Sequence, residues 1–201
     1  MVEFQQEIVG KSPNPLLGRG LEPLLVVSSS FSVSLLSDAY EYWIKELQWP
    51  QPPRLVLADY NSIFPQVLQT SSQFHGNADT GLNVILLRFE DWVRGSEHDD
   101  AHQYNVMRDT LQALGIAIRQ YAHQECRAPL LVIECKPSPG MLAHPFWSTH
   151  LSTFSNELEG LGTLPQVVVY GWRTLDIQFR PFVNQYHSFH TDRMGHMPYT
   201  P

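Results

Sequence analysis

Hydrophobic and polar positions alternate in short blocks along most of this chain. Apolar runs of about four residues occur at 24–27, 55–58, 84–87, 130–133 and 167–170. Such short runs of Val, Ile and Leu are typical of strands that are buried on both faces of a parallel sheet. Longer segments with helical spacing separate them, so the pattern predicts five parallel strands that alternate with helices in one α/β domain.

The segments between the apolar runs predict four helices and one loop. The first helix follows Ser32, whose hydroxyl is expected to cap it. Its apolar face has 3.6-residue spacing and comprises Leu36, Tyr40, Trp43, Ile44 and Leu47. Further helices are predicted over 60–68, 103–122 and 145–158, the second with an inner stripe of Leu111, Leu114, Ile118 and Tyr121. The polar stretch 70–81 predicts a surface loop, and the aromatic, histidine-rich tail after Trp172 predicts irregular structure.

The two ends of the chain suggest how the domain is delimited. Residues 1–22 are polar and contain prolines and glycines, so they are interpreted as a leading arm or linker before a domain at 23–201. The chain stops at Tyr199-Thr200-Pro201 without a polar fade. We therefore expect a piece excised from a larger polypeptide.

Charge and hydropathy argue against two classes of partner. The net charge is −7 and no cluster of Lys and Arg exceeds two residues, so the basic surface expected of a nucleic-acid-binding protein is missing. No apolar run approaches the roughly 20 residues of a membrane span, and the N-terminus has no signal-peptide pattern. Cys126 and Cys135 are the only two cysteines, which fits a reduced, cytoplasmic setting.

Polar side chains follow the predicted strands, at the edge where ligands bind in parallel sheets. The residues selected by this rule are Ser28, Ser29, Ser30, Ser32, Tyr60, Asn61, Arg88, Glu90, Asp91, Cys135 and Lys136, with Asp192 and His196 of the tail. A serine at a strand-to-helix turn is a candidate nucleophile, and it needs a histidine base oriented by a carboxylate. His196 and Asp192 would supply both if the tail folds back over the sheet. Ser30 as a plain helix cap is the alternative.

Other candidates favour structural roles. Cys135 ends a buried strand and is interpreted as an inert core thiol. His98 and His102 have helical i,i+4 spacing but no evident third ligand, so a solvated acidic loop is preferred and no metal site is expected. His187, His190 and His196 are spaced irregularly, which favours aromatic packing in the tail. Glu90 and Asp91 have an alternative interpretation as exposed acidic residues at the start of a loop.

Several segments resemble a known family. They are VVSSSFS at 26–32, YW at 42–43, DYN at 59–61, VILLRFEDW at 84–92 and GHMPYTP at 195–201. Together they resemble the SGNH-hydrolase-like region at the N-terminus of FkbH-type proteins, which also occurs within nonribosomal peptide and polyketide synthases. The resemblance covers residues 23–201 and implies a three-layer, flavodoxin-like fold with a five-stranded parallel sheet. The phosphatase-like domain that loads glyceryl units in FkbH proteins has no counterpart here.

The resemblance implies roles for particular residues. Ser30 matches the nucleophile of active SGNH hydrolases, although serines replace the Gly-Asp pair before it. Glu90 matches the oxyanion-hole asparagine, and a carboxylate there would repel a developing oxyanion. The catalytic histidine matches His196, but Arg193 stands three residues before it where the family has Asp, and Asp192 stands four before.

Two functions remain open. In the first, the domain acts by acyl transfer on an acyl or aminoacyl group carried on the phosphopantetheine arm of a partner carrier protein. Ser30, His196, Asp192 and Glu90 would then be catalytic, and substrate would contact Ser29, Ser32, Asn61, Arg88 and Asp91. In the second, the domain is an inactive docking element that holds acyl or peptidyl carrier proteins and neighbouring synthase domains in register. A stand-alone esterase ranks below both because of Glu90, and no bound cofactor is expected.

Overall fold

A five-stranded parallel sheet forms the centre of the molecule. The computed structural model describes residues 23–77, 80–124, 128–181, 183 and 185–199. The strands are β1 (Leu24–Ser29), β2 (Arg54–Leu57), β3 (Leu82–Leu87), β4 (Leu130–Glu134) and β5 (Val167–Tyr170). All neighbouring strands pair in parallel, in the order β2-β1-β3-β4-β5. The predicted α/β fold is confirmed, whereas the predicted leading arm, 1–22, lies outside the described residues.

Helices connect the strands and follow the last one. They are α1 (Leu36–Glu46), α2 (Ile63–Leu68), α3 (Gln73–Gly76), α4 (Asp100–Ala122), α5 (Pro139–Ala143), α6 (Pro145–Glu159), α7 (Trp172–Phe179) and α8 (Phe189–Gly195). Two 3₁₀ turns lie at Phe89–Val93 and Gly160–Thr163. Within the described part of the chain, no helix combines the length and the apolar character needed to cross a membrane.

One face of the sheet carries the main hydrophobic core. Val26, Ile85 and Val132 point toward this face and pack with buried side chains of α2, α3, α4 and α6. The predicted inner stripe of α4 is confirmed, because its four members are at most 2% exposed. Burying this many large apolar side chains supplies the main free energy that holds the helical layer on the sheet.

Helix α1 lies on the other face, where packing is sparse. Leu86 of β3 alternates with the core-facing Ile85 and Leu87, and it lines a cavity together with Leu36 and Ala39 of α1. No residue of α1 is fully buried, and Trp43 and Leu47 are 56% and 64% exposed. The predicted apolar face therefore exists as a pattern but has few packing partners.

The start of α1 also differs from the prediction. The helix begins at Leu36 after Leu35, and no side chain caps it. Ser32 does not serve as the cap, because it lies four residues before the first residue of the helix. Its backbone N–H donates to the His196 carbonyl at 2.8 Å, which ties this segment to the tail.

The stretch predicted as a surface loop instead contributes to the core. It contains α3, and Phe74 and Asn77 are buried. Asn77 donates to Asn83 Oδ1 at 2.8 Å, and Asn83 donates to the Tyr121 hydroxyl at 2.7 Å. The polar residues of this segment thus satisfy the fully buried Asn83 of β3, which would otherwise destabilise the core.

Candidate functional site

The strand order creates a topological switch point at β1. The chain leaves β1 toward β2 on one side, and the later strands lie on the other side, so a crevice opens beyond the carboxyl ends of β1 and β3. The Ser30 N–H donates to the Leu86 carbonyl at 3.0 Å, which continues the ladder one residue past β1. Ser30 and Arg88 therefore stand side by side at this crevice.

Ser30 is buried and its hydroxyl is engaged on both sides. The residue is 1% exposed. Its Oγ donates to Asp91 Oδ2 at 2.7 Å and accepts the backbone N–H of Arg88 at 3.0 Å. The expected hydrogen bond between Ser30 and His196 is not formed, because the carboxylate of Asp91 lies between them. Asp91 itself is not an exposed loop residue, since its side chain is only 2% exposed.

The tail folds back over the switch point, as a role for His196 requires. Helix α8 ends at Gly195, and His196 follows in the left-handed region at φ 52°. Its N–H donates to the Asp192 carbonyl, which closes the helix end. The His196 carbonyl accepts the Ser32 N–H, and this bond fixes the tail to the segment after β1. A non-glycine residue in this backbone region is strained, which is typical of functional positions.

His196 links a buried carboxylate to an exposed phenol. Its Nε2 lies 2.9 Å from Asp91 Oδ1, and its Nδ1 is hydrogen-bonded to the Tyr60 hydroxyl. Because a carboxylate only accepts, Nε2 carries the proton and Nδ1 accepts from Tyr60. Tyr60 follows β2 and is 58% exposed. Burial, with Asp91 contributing, raises the pKa of Tyr60, so the phenol stays protonated at neutral pH.

Asp192 does not orient His196 as the sequence suggested. Its carboxylate instead accepts from Arg88 at 3.0 Å and from Arg94 at 2.7 Å, and it lies 3.1 Å from His187 Nε2. Burial opposes ionisation, but the bonds from Arg88 and Arg94 hold the pKa of Asp192 below its ordinary value. Two guanidinium groups and the His187 ring therefore occupy this carboxylate, and charge-assisted bonds of this kind are strong.

Arg88 organises the carboxylates around the switch point. Its side chain is 1% exposed and bonds Asp91, at 2.6 and 3.0 Å, as well as Asp192. Its Nε also lies 3.2 Å from Glu90 Oε1. Burial alone would lower the pKa of Arg88, yet these carboxylates raise it above its ordinary value. A substrate carboxylate or phosphate could reach this guanidinium only by displacing one of these partners.

Glu90 is held away from the Ser30 hydroxyl. Its carboxylate accepts the Ser138 N–H at 2.8 Å and the Ser138 hydroxyl at 2.6 Å. Ser138 also caps α5, so Glu90 ties the loop after β3 to the loop after β4. In the described part of the chain no hydrogen bond joins Glu90 to Ser30 or His196.

The remaining predicted residues occupy the periphery of the site. The Ser29 hydroxyl donates to the Phe31 carbonyl at 2.5 Å. Ser32 lines the crevice. Asn61 has a left-handed backbone at φ 53° directly after Tyr60 and turns the chain there. Burial raises the pKa of the Cys135 thiol to about 12, consistent with an inert thiol. His98 and His102 lie at the start of α4, which Asp99 caps, and no group of three or more metal-type ligands occurs among the described residues.

Comparison with known proteins finds a similarity of fold to one solved structure. No family model matches the sequence, and no curated protein matches it. Among solved structures, the fold is similar to the crystal structure of the N-terminal part of the protein BF1531 from Bacteroides fragilis, which contains a phosphatase domain complexed with Mg. The TM-score is 0.62 at 12% identity, over 89% of this chain and 48% of that chain. This chain therefore spans about half the length of its structural neighbour, and the likeness concerns the fold alone.

Two members of the site, Arg94 and His187, were not predicted at the switch point. Tyr60 was selected with Asn61 at the end of β2, because side chains there share the sheet edge with Ser30. No role was predicted for its hydroxyl, which is hydrogen-bonded to His196. Arg94 follows a 3₁₀ turn whose presence the sequence did not indicate, so its approach to Asp192 could not be foreseen.

Proposed function

We propose that this domain transfers an acyl group from the phosphopantetheine arm of a carrier protein to a hydroxyl acceptor. The observation that carries the proposal is the hydrogen-bonded chain from Asp91 through His196 to Tyr60. A buried carboxylate, an oriented imidazole and an exposed hydroxyl form a relay that is suited to general acid–base catalysis. The relay lies at the switch point, where α/β folds bind small ligands.

The proposed chemistry begins at the Tyr60 hydroxyl. The acceptor hydroxyl gives its proton to the Tyr60 oxygen while Tyr60 passes its own proton to His196 Nδ1. The acceptor oxygen attacks the thioester carbonyl carbon, and the carbon–sulfur bond then breaks. The departing thiolate takes the proton back from the imidazolium through Tyr60. Asp91 stabilises the imidazolium during this cycle, as a buried carboxylate does in catalytic triads.

Ser30 and Arg88 have positioning roles in this proposal. The Ser30 hydroxyl fixes Asp91 Oδ2, and Arg88 binds Oδ1, the same oxygen that accepts from His196. Such supporting bonds hold a catalytic carboxylate within the narrow geometry that proton transfer needs. The side chain of Ser30, 1% exposed, is poorly placed to attack a substrate itself.

Intact-protein mass spectrometry tests the proposal directly. Carrier proteins loaded with acetyl to decanoyl thioesters are incubated with the domain and a small polyol acceptor. We expect time-dependent loss of the acyl mass from the carrier and a gain on the acceptor, slowed about a hundredfold in His196→Asn. Failure of every loaded carrier to change mass, or an equal rate in His196→Asn, would overturn the proposal.

A docking role is the second candidate, favoured by the open face of the sheet. Val168 and Tyr170 of the edge strand β5 are 48% and 43% exposed, and Tyr42 and Trp43 of α1 are also uncovered. Apolar surface of this kind marks interaction sites. A synthase whose product profile survives His196→Asn but is lost on deletion of the domain would favour docking. Loss of product with His196→Asn alone would exclude a purely structural role.

A further inference from the structure

An apolar cavity of about 300 Å³ opens at the switch point. It is lined by Phe31, by Leu36 and Ala39 of α1, by Leu86 of β3, and by Met197 and Tyr199 of the tail. The size and the position are those of small-ligand sites in α/β folds.

The walls of this cavity select an apolar group. None of the side chains that line it is ionised at neutral pH, since burial keeps the Cys135 thiol neutral. Met197 has a flexible thioether, which adapts to chains of different shape. A sugar or a base would leave its polar groups without partners here, whereas an aliphatic chain would not.

A depression with polar and positively charged side chains adjoins the apolar cavity. It measures about 450 Å³, is lined by Tyr60, Arg94, Arg193 and His196, and shares Ser32 with the apolar cavity. Among the residues that the structure describes, no carboxylate lines it. Arg94 is already bound to Asp192, but Arg193 makes no hydrogen bond or ion pair with any residue that the structure describes. Uncompensated positive charge therefore faces this space beside Ser32.

We propose that the two spaces bind one anionic amphiphile, with an aliphatic acyl chain in the cavity and a phosphate or carboxylate at Arg193. A volume of 300 Å³ holds about ten groups the size of a water molecule, which fits a chain of roughly eight carbons. This inference names the substrate class of the proposed transferase site and rests on the proposed function for placing the thioester near Tyr60.

Calorimetric titration of the intact chain tests the inference with three probes. Octanoyl-phosphopantetheine carries a phosphate, octanoyl-pantetheine is neutral, and octanoate carries its charge directly on the chain. We expect affinity to rise about fourfold per methylene from butanoyl to octanoyl and then to level off as the cavity fills. Comparison of octanoate with the phosphate probe identifies which anionic group Arg193 accepts.

Three variants locate the two parts of the ligand. Ala39→Trp places an indole at the cavity and should weaken binding of all octanoyl probes at least tenfold, whereas Glu41→Trp on the same helix should not. Arg193→Gln should weaken binding of the anionic probes about fivefold and leave the neutral probe unchanged. If Ala39→Trp proves unfolded by circular dichroism, the chain-length series supplies the same information.

The results separate this inference from the proposed function. Saturable, chain-length-dependent binding without turnover would support the amphiphile site and count against the transferase alone. Affinity that is independent of chain length would overturn the assignment of the cavity. Equal binding of neutral and anionic probes, unaltered by Arg193→Gln, would overturn the assignment of the anionic site even if turnover is observed.

Discussion

The Ser30 hydroxyl donates its hydrogen bond to Asp91 Oδ2 at 2.7 Å, so the partner of this serine is a carboxylate and not an imidazole. The other oxygen of the same carboxylate lies 2.9 Å from His196 Nε2. Asp91 thus stands where a serine hydrolase would have its serine–histidine contact. The hydroxyl that reaches the far side of the histidine belongs to Tyr60.

The first prediction concerns the stability that Ser30 provides. Ser30→Ala removes a donor to Asp91 and an acceptor of the Arg88 N–H, both buried, so we expect a loss of about 1–3 kcal/mol. Urea unfolding measures this loss. Ser148→Ala, which removes an exposed hydroxyl, is the control and should change the free energy of unfolding by less than 0.5 kcal/mol or so. Equal stability of Ser30→Ala and the wild type would contradict the positioning role.

A second prediction concerns the buried charge of Arg88. Arg88→Met leaves the carboxylates of Asp91 and Asp192 without their main partner, and such uncompensated charge typically costs about 3–5 kcal/mol. Arg108→Met removes an exposed guanidinium that pairs with Asp109, and it should cost at most about 1 kcal/mol. Chemical denaturation of the two variants checks the contrast. Comparable losses would mean that the guanidinium does not organise the site.

Acid should weaken the attachment of the tail through Asp192. The folded state holds the pKa of Asp192 below its ordinary value of 3.8. Its contribution to stability is therefore complete above about pH 5 and is lost progressively as the pH falls further. In Asp192→Asn this part of the acid dependence should disappear, whereas exposed Asp109→Asn should keep it. The free energy of unfolding is measured between pH 6 and pH 3. The same pH dependence in the wild type and Asp192→Asn would contradict this role of Asp192.

Glu134 should have the opposite pH dependence. It is fully buried, and this burial raises its pKa from 4.5 to about 7, although the hydrogen bond from Ser155 favours the ionised form. The fold therefore loses stability as the pH rises from about 4.5 to 7, because ionisation is disfavoured inside. Glu134→Gln should be more stable than the wild type by about 1–3 kcal/mol at pH 8 and nearly equal at pH 4.5. Thermal unfolding at both values tests this, with Glu157→Gln as an exposed control.

The sheet could be predicted from the sequence because its signal is local. Each strand is a short apolar run, and each predicted run coincides with an observed strand to within two residues at either end. The buried face of α4 could also be predicted, since its four apolar residues have helical spacing and all face the same core. The buried hydrogen bond between Asn77 and Asn83 could not be predicted. Asparagine is typical of loops, and the sequence does not show which polar residues will pair in the folded core.

The site was only partly predictable for a related reason. Sequence reasoning selected Ser30, Asp91 and His196 as occupants of one sheet edge, and the structure brings them together. Asp91 and Asp192 both accept from Arg88, and it is the carboxylate of Asp91 that lies 2.9 Å from His196 Nε2. This arrangement is decided by three-dimensional distances between charged groups, and spacing along the chain does not encode it.

The proposed acid–base relay of this site ends on the Tyr60 hydroxyl. The most direct test is the rate of acyl loss from an octanoyl-loaded carrier protein, measured for wild type, Tyr60→Phe and Ser30→Ala under identical conditions. We expect Tyr60→Phe to lower the rate about a hundredfold and Ser30→Ala to keep it within about tenfold of the wild type. A Tyr60→Phe variant that is fully active, beside an inactive and folded Ser30→Ala variant, would contradict it.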